Sequence, residues 1–135
     1  MAGYSGTPLP KKLGIKEQHE ICVLNAPPGF ADTLGALPAG ANVSTKLGKS
    51  PLDVIVFFTK QKAELVKKLA DLRARMQPAA GLWIAWPKKA SGVATDITED
   101  VIRAVALPTG LVDNKVCAID ETWSGLRLVI RRENR

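Results

Sequence analysis

Apolar residues along this chain fall into two kinds of segment, short unbroken runs and longer stretches at helical spacing. Residues 53–58, Asp53-Val54-Ile55-Val56-Phe57-Phe58, are β-branched and aromatic after the first position. That is the pattern of a strand covered on both faces, and hence of a parallel sheet. Residues 20–24 and 82–86 are further apolar strands. Between the second and third of these, residues 60–76 place Leu65, Leu69, Leu72 and Met76 on one helical face. Glu64 with Lys68, Lys67 with Asp71, and Asp71 with Arg75 form i,i+4 opposite-charge pairs on the outer side.

The remaining elements are marked by their ends. Thr7 caps a short helix with Pro8 in its first turn and Gly14 just past its end. Residues 30–37 make a marginal helix weakened by Gly35, and residues 42–46 a thin strand suited to a sheet edge. Residues 47–51 form a turn. Pro78 and Gly81 stop the long helix, 87–94 is a loop, and Thr95 or Asp96 caps a helix reaching 107, with Glu99 placed for a capping box to Asp96. Strands at 112–119 and 126–131 are joined by the hairpin-length link 120–125. The alternation of strand and helix predicts an α/β fold: a doubly wound, mostly parallel sheet with right-handed crossovers and a C-terminal antiparallel hairpin.

At 135 residues the chain is expected to form a single domain over 1–135, with residues 1–7 as an exposed arm. Its longest apolar run is too short to span a bilayer and its start lacks a signal-peptide apolar region, which together predict a cytoplasmic location. Cys22 and Cys117 each fall inside a predicted strand and are expected to be free thiols. The net charge of +6 is spread along the chain, so acidic partners fit better than sequence-specific nucleic acid binding.

With these elements placed, Asp53 through Lys88 resembles the middle of class I S-adenosylmethionine (SAM)-dependent methyltransferases. An aspartate opens a buried strand, a long helix ends in Arg-Met-Gln-Pro, and Gly-Leu-Trp-Ile-Ala-Trp-Pro follows. The short helix ending at Gly14, the strand after it, the final helix and the hairpin also match that fold. A closer resemblance is to an uncharacterised bacterial family of small proteins with a domain of unknown function. It is carried by the blocks Gly3-Tyr4-Ser5-Gly6-Thr7-Pro8-Leu9, Trp86-Pro87-Lys88-Lys89-Ala90-Ser91-Gly92 and Asp120-Glu121-Thr122-Trp123-Ser124-Gly125-Leu126. The methyltransferase resemblance implies a reduced Rossmann-like core, and it implies SAM contacts that the residues do not supply. Where the class has a G-x-G-x-G loop, this chain has Asn25-Ala26-Pro27-Pro28-Gly29, and prolines have no N–H to donate. Where an acid should bind the ribose hydroxyls stands Lys46. The usual third strand and its helix have no room before Asp53. No cofactor is therefore expected, and the rival reading is an active transferase whose altered loop takes SAM or another nucleotide differently.

In a doubly wound sheet, ligands bind outside the carboxyl ends of the strands where strand order reverses. The candidate binding residues there are Asn25, Gly29, Thr59, Trp86, Lys88, Lys89, Ser91, Gly92 and Trp123. Asn25 is either a ligand-facing amide or a turn former, the latter being the commoner use of such an Asn. Trp86 belongs to a pocket or, more in keeping with its type, to the core. Trp123, read as a loop residue, either anchors a partner or lids the core. Lys88, Lys89, Ser91 and Gly92 suit an anion if they lead into a helix N-terminus; the bland reading is a solvated loop. His19 has no ligand partners at metal spacing, and no catalytic motif occurs, so no metal or catalytic residue is assigned. The expected partner is a small anionic ligand or an acidic protein surface.

Overall fold

A computed structural model of the chain describes residues 7–135, so the arm expected at the start lies, apart from Thr7, outside the described residues. In it, α1 (Leu9–Lys12) leads to β1 (Glu20–Leu24), α2 (Phe30–Leu34), β2 (Asn42–Ser44), β3 (Leu52–Phe58), α3 (Lys62–Ala74), β4 (Met76–Pro87), α4 (Glu99–Ala106), β5 (Leu111–Ala118) and β6 (Trp123–Ile130). The strands form a sheet in the order β2-β1-β3-β4-β6-β5. The first four are parallel; β6 runs antiparallel to β4, and β5 antiparallel to β6. This is the expected doubly wound sheet with a terminal hairpin, and β2, wholly exposed, lies at one edge as its thin apolar content predicts.

β3 lacks alternation because both of its faces are covered. Ile55 and Phe57 pack with Leu65, Leu69 and Leu72 of α3 and Ile102 and Ala106 of α4. Val54, Val56 and Phe58 pack on the other side with Leu9 of α1 and Phe30 and Leu34 of α2. Trp83 on β4 joins this second layer and donates its indole N–H to the Leu13 carbonyl at 3.0 Å, tying α1 to the sheet. Gly14, at φ +80°, lets the chain leave α1: its N–H reaches the Lys11 carbonyl at 3.1 Å and that of Ile15 the Pro10 carbonyl at 2.9 Å.

Several boundaries differ from expectation for local physical reasons. Pro8, not Thr7, is the N-cap of α1, with Pro10 inside the first turn. α2 stops at Leu34 because Gly35 turns out of the helix at φ +75°. β4 begins at Met76, six residues before the predicted strand, because Leu52 N–H bonds the Arg75 carbonyl at 2.7 Å and Met76 already pairs with Leu52. The next pair is Val54 with Gly81, so β4 bulges between them and Pro78 stands where the ladder needs no N–H. β6 starts at Trp123, not at 126, which shortens the hairpin link and places Trp123 in a strand. The expected ion pairs along α3 do not form; Arg103 instead reaches Glu99 at 3.3 Å, Asp100 at 3.1 Å and Asp113 at 3.0 Å, joining α4 to β5.

Cys22 and Cys117 are free and lie four inter-strand steps apart, on β1 and β5. At about 4.8 Å per step that is roughly 19 Å, far beyond disulfide reach. Burial is the main cause raising both thiols above their ordinary 9.0. Two thiols should therefore titrate after denaturation without reductant. The folded chain holds its thiol protons at pH values where the unfolded chain has lost them. Their contribution to stability is thus complete below 9.0 and falls as pH rises through that value toward the folded values. Denaturation midpoints measured across the alkaline range check this: Cys22→Ala with Cys117→Ala should flatten the decline.

Candidate functional site

Strand order reverses between β1 and β3: β1 leads through α2 to β2 on one side, and β3 leads through α3 to β4 on the other. At their carboxyl ends opens a cavity of ≈ 420 Å³. It is lined by Asn25, Pro27 and Pro28 after β1, by Phe58, Thr59, Lys60 and Gln61 at the end of β3, by Glu64 in the first turn of α3, and by Trp123 at the start of β6. The switch point of the sheet thus coincides with a pocket, as ligand sites in such folds require.

Its polar groups are largely committed to one another. Thr59, buried, donates its hydroxyl to Glu64 Oε1 at 2.5 Å. Asn25 adopts the left-handed φ of 58° and bridges the Phe58 carbonyl at 3.2 Å and Glu64 Oε2 at 3.3 Å with its amide. An asparagine tolerates that conformation better than most residues, so Asn25 is a turn former whose side chain also clamps β3 to α3. Trp123 packs edge-on against Phe58, centroids 5.0 Å apart, and Phe58 in turn against Phe30 at 4.9 Å. Asp120 fixes the turn before Trp123 by accepting from the Thr122 and Trp123 N–H groups, each at 2.8 Å.

Of the sequence candidates, the fold brings Asn25, Thr59 and Trp123 together. Gly29, at φ +82°, starts α2 beside the pocket without lining it. Trp86 packs on the opposite sheet face, in the layer with α3 and α4, which places it in the core. Lys88 continues β4 by donating its N–H to the Thr122 carbonyl at 2.8 Å. Lys89 to Ser91 form a 3-10 turn closed by Gly92 at φ +75°, and the Ser91 hydroxyl is used internally, donating to the Lys88 carbonyl at 2.7 Å and accepting from Val93 N–H at 3.2 Å.

The helix start expected behind these lysines lies elsewhere. Thr98 caps α4, accepting from Val101 N–H at 3.2 Å, and acidic Glu99 and Asp100 occupy its first turn. Asp96 instead accepts the Lys62 N–H at 2.7 Å, so a carboxylate of the chain itself already sits on the N-terminus of α3. Thr95 supports that crossing by donating to the Lys60 carbonyl at 2.7 Å. Glu64 and Gln61 were missed as site residues. The signal was position: Glu64 lies in the first helical turn after the switch-point strand, where a side chain faces back toward the strand end, although its spacing to Lys68 suggested an outward ion pair.

Solved structures share this architecture at low identity. A SAM-dependent methyltransferase from Aquifex aeolicus matches with TM-score 0.64 at 16% identity, over 90% of this chain and 87% of that one. A ribosomal protein L11 methylase from Lactobacillus delbrueckii subsp. bulgaricus gives 0.59 at 9%, over 92% and 76%. A TehB-like SAM-dependent methyltransferase from Corynebacterium glutamicum gives 0.56 at 10%, over 96% and 91%. The chain therefore has a methyltransferase-like α/β fold. No curated protein matches its sequence. Residues 40–132 match the family described as Protein of unknown function (DUF3052), and the chain belongs to that family. Among the described residues, no helix is long and apolar enough to cross a membrane.

Proposed function

We propose that this is a methyltransferase-like binding domain with little or no catalytic activity of its own, which holds a small anionic ligand or an acidic protein surface at the carboxyl edge of its sheet. The observation that carries the reading is the loop after β1. Pro27 and Pro28 line the pocket in which the fold would otherwise present backbone N–H groups to its cofactor, and neither has one to present. Lys46 past β2 offers no carboxylate for ribose hydroxyls. Glu64, the carboxylate that does face the pocket, is engaged by Thr59 and Asn25.

The cations at this edge are Lys60 on the pocket wall and Lys88 and Lys89 after β4. They act by side-chain charge alone, since Asp96 occupies the start of α3 and α4 begins with acids. Thermal melting tests the cofactor half of the proposal, because a ligand of the folded state raises the melting temperature. Millimolar SAM should give no shift. A saturable shift with micromolar affinity overturns the proposal in favour of an active transferase with a modified cofactor loop.

A further inference from the structure

α3 runs back across the sheet from the carboxyl end of β3 to the start of β4, so its last turn, with Arg73, lies at the amino edge, opposite the pocket. Two short 3-10 turns meet it there. One, Leu107–Thr109, follows α4 and is closed by Gly110. The other, Arg132–Asn134, follows β6. The Arg131 N–H donates to the Gly110 carbonyl at 3.0 Å and the Asn134 N–H to the Arg131 carbonyl at 2.8 Å, which fixes the second turn against the first.

Gly110 has no side chain, and donors from both neighbours border the space that one would fill. A Cβ there would lie 3.0 Å from Asn134 Nδ2, 3.4 Å from Arg73 Nη2 and 4.0 Å from Arg73 Nε. The three nitrogens therefore surround a single point. Arg73 Nε is shut off from water and has no hydrogen-bond partner, alone among the buried side-chain atoms of the described residues. An orphaned buried donor calls for a partner that the chain does not supply, such as an ion. Among the described residues, no carboxylate pairs with Arg73. The lining of the carboxyl-edge pocket contains none of these residues.

We propose that Arg73, Gly110 and Asn134 form a notch that binds the carboxylate group of a small molecule, separate from the carboxyl-edge pocket. Arg73 supplies the charge, Asn134 a second donor, and Gly110 the room between them. A carboxylate there neutralises a guanidinium that the fold has partly withdrawn from water without a counter-charge. The charge count favours a carboxylate over a phosphate. One guanidinium balances one negative charge, and the carbonyl ends of α3 and of the turn after α4 oppose a second.

Nuclear magnetic resonance of the full chain, titrated with sodium acetate at constant ionic strength, tests the notch. The Arg73 Nε–H and the Asn134 side-chain amide should shift together along one saturable curve, with a Kd on the order of millimolar. Arg73→Gln, read on the Asn134 amide, should weaken binding by about tenfold or more, and Asn134→Ala, read on Arg73 Nε–H, by about threefold or more. Arg75→Gln should leave it unchanged, because the Arg75 Nε already donates to the Gly48 carbonyl at 2.6 Å. Shifts that rise without saturating, or that survive Arg73→Gln with an intact melting curve, overturn the site. Should Arg73→Gln fail to fold, Asn134→Ala in the exposed turn decides alone, and unchanged affinity there overturns the site. Loss confined to Lys88→Ala with Lys89→Ala also overturns it and assigns the anion to the carboxyl edge. Tighter binding of inorganic phosphate than of acetate overturns the carboxylate assignment.

Discussion

Trp83→Ala is expected to destabilise the fold by about 3–5 kcal/mol, the usual cost of truncating a fully buried aromatic residue. The side chain has no exposed surface and belongs to the layer between the sheet and α1 and α2. It also fits its neighbours closely: a Cβ added at Gly125 would lie 3.0 Å from its ring. Its indole bond to Leu13 is the long-range contact that holds α1 against β4. A loss of that size consumes much of the roughly 5–15 kcal/mol typical of a folded domain. Trp83→Phe should retain most of the packing but leave the Leu13 carbonyl without its partner, at about 1–3 kcal/mol. Urea unfolding monitored by circular dichroism measures both. A loss under about 1 kcal/mol for the alanine variant would contradict this account of the layer.

The elements that the sequence announced most clearly are those whose burial is two-sided or strongly periodic. The run from Val54 to Phe58 could only be an inner strand, and Leu65, Leu69 and Leu72 could only face a sheet. Boundaries were less legible because they depend on partners distant in the chain. Met76 is apolar and suits the end of a helix, but the Leu52 N–H bond to the Arg75 carbonyl draws the next residue into the sheet. Asp96 looks like the start of the helix that follows it, and serves the helix that precedes it. Nothing local distinguishes those two uses.

The site was legible to the same extent. The switch-point rule leads to Asn25 and Thr59, which line one pocket, because it depends on strand order, which the pattern did reveal. Trp86 stands at the same edge but faces the other side of the sheet, in the core that its residue type favoured, since a single residue of strand register decides the side. Glu64 escaped notice because an i,i+4 partner offered it a solvent role, whereas Thr59 and Asn25 supply bonds in a less hydrated position.

Trp123→Ala is expected to cost about 3–5 kcal/mol as well, and to test which of its two uses governs. An aromatic anchor for a partner is exposed in the free protein and its loss is felt only on binding. Trp123 is instead 8% exposed and packs with Phe58, Phe30, Val56 and Ile119 in the layer beneath α2, so its ring closes that layer at the pocket wall. The turn ahead of it is fixed independently through Asp120, so truncation should leave the backbone in place and open a cavity that the neighbouring rings fill only in part. Trp123→Phe preserves an edge-on contact with Phe58 and should cost about 1 kcal/mol. The phenylalanine variant therefore separates stability from binding. It should unfold close to the parent in urea and keep any anion or acidic partner held by Lys60, Lys88 and Lys89. A parent-like midpoint in the alanine variant would show that the ring is a surface anchor and not a lid on the core.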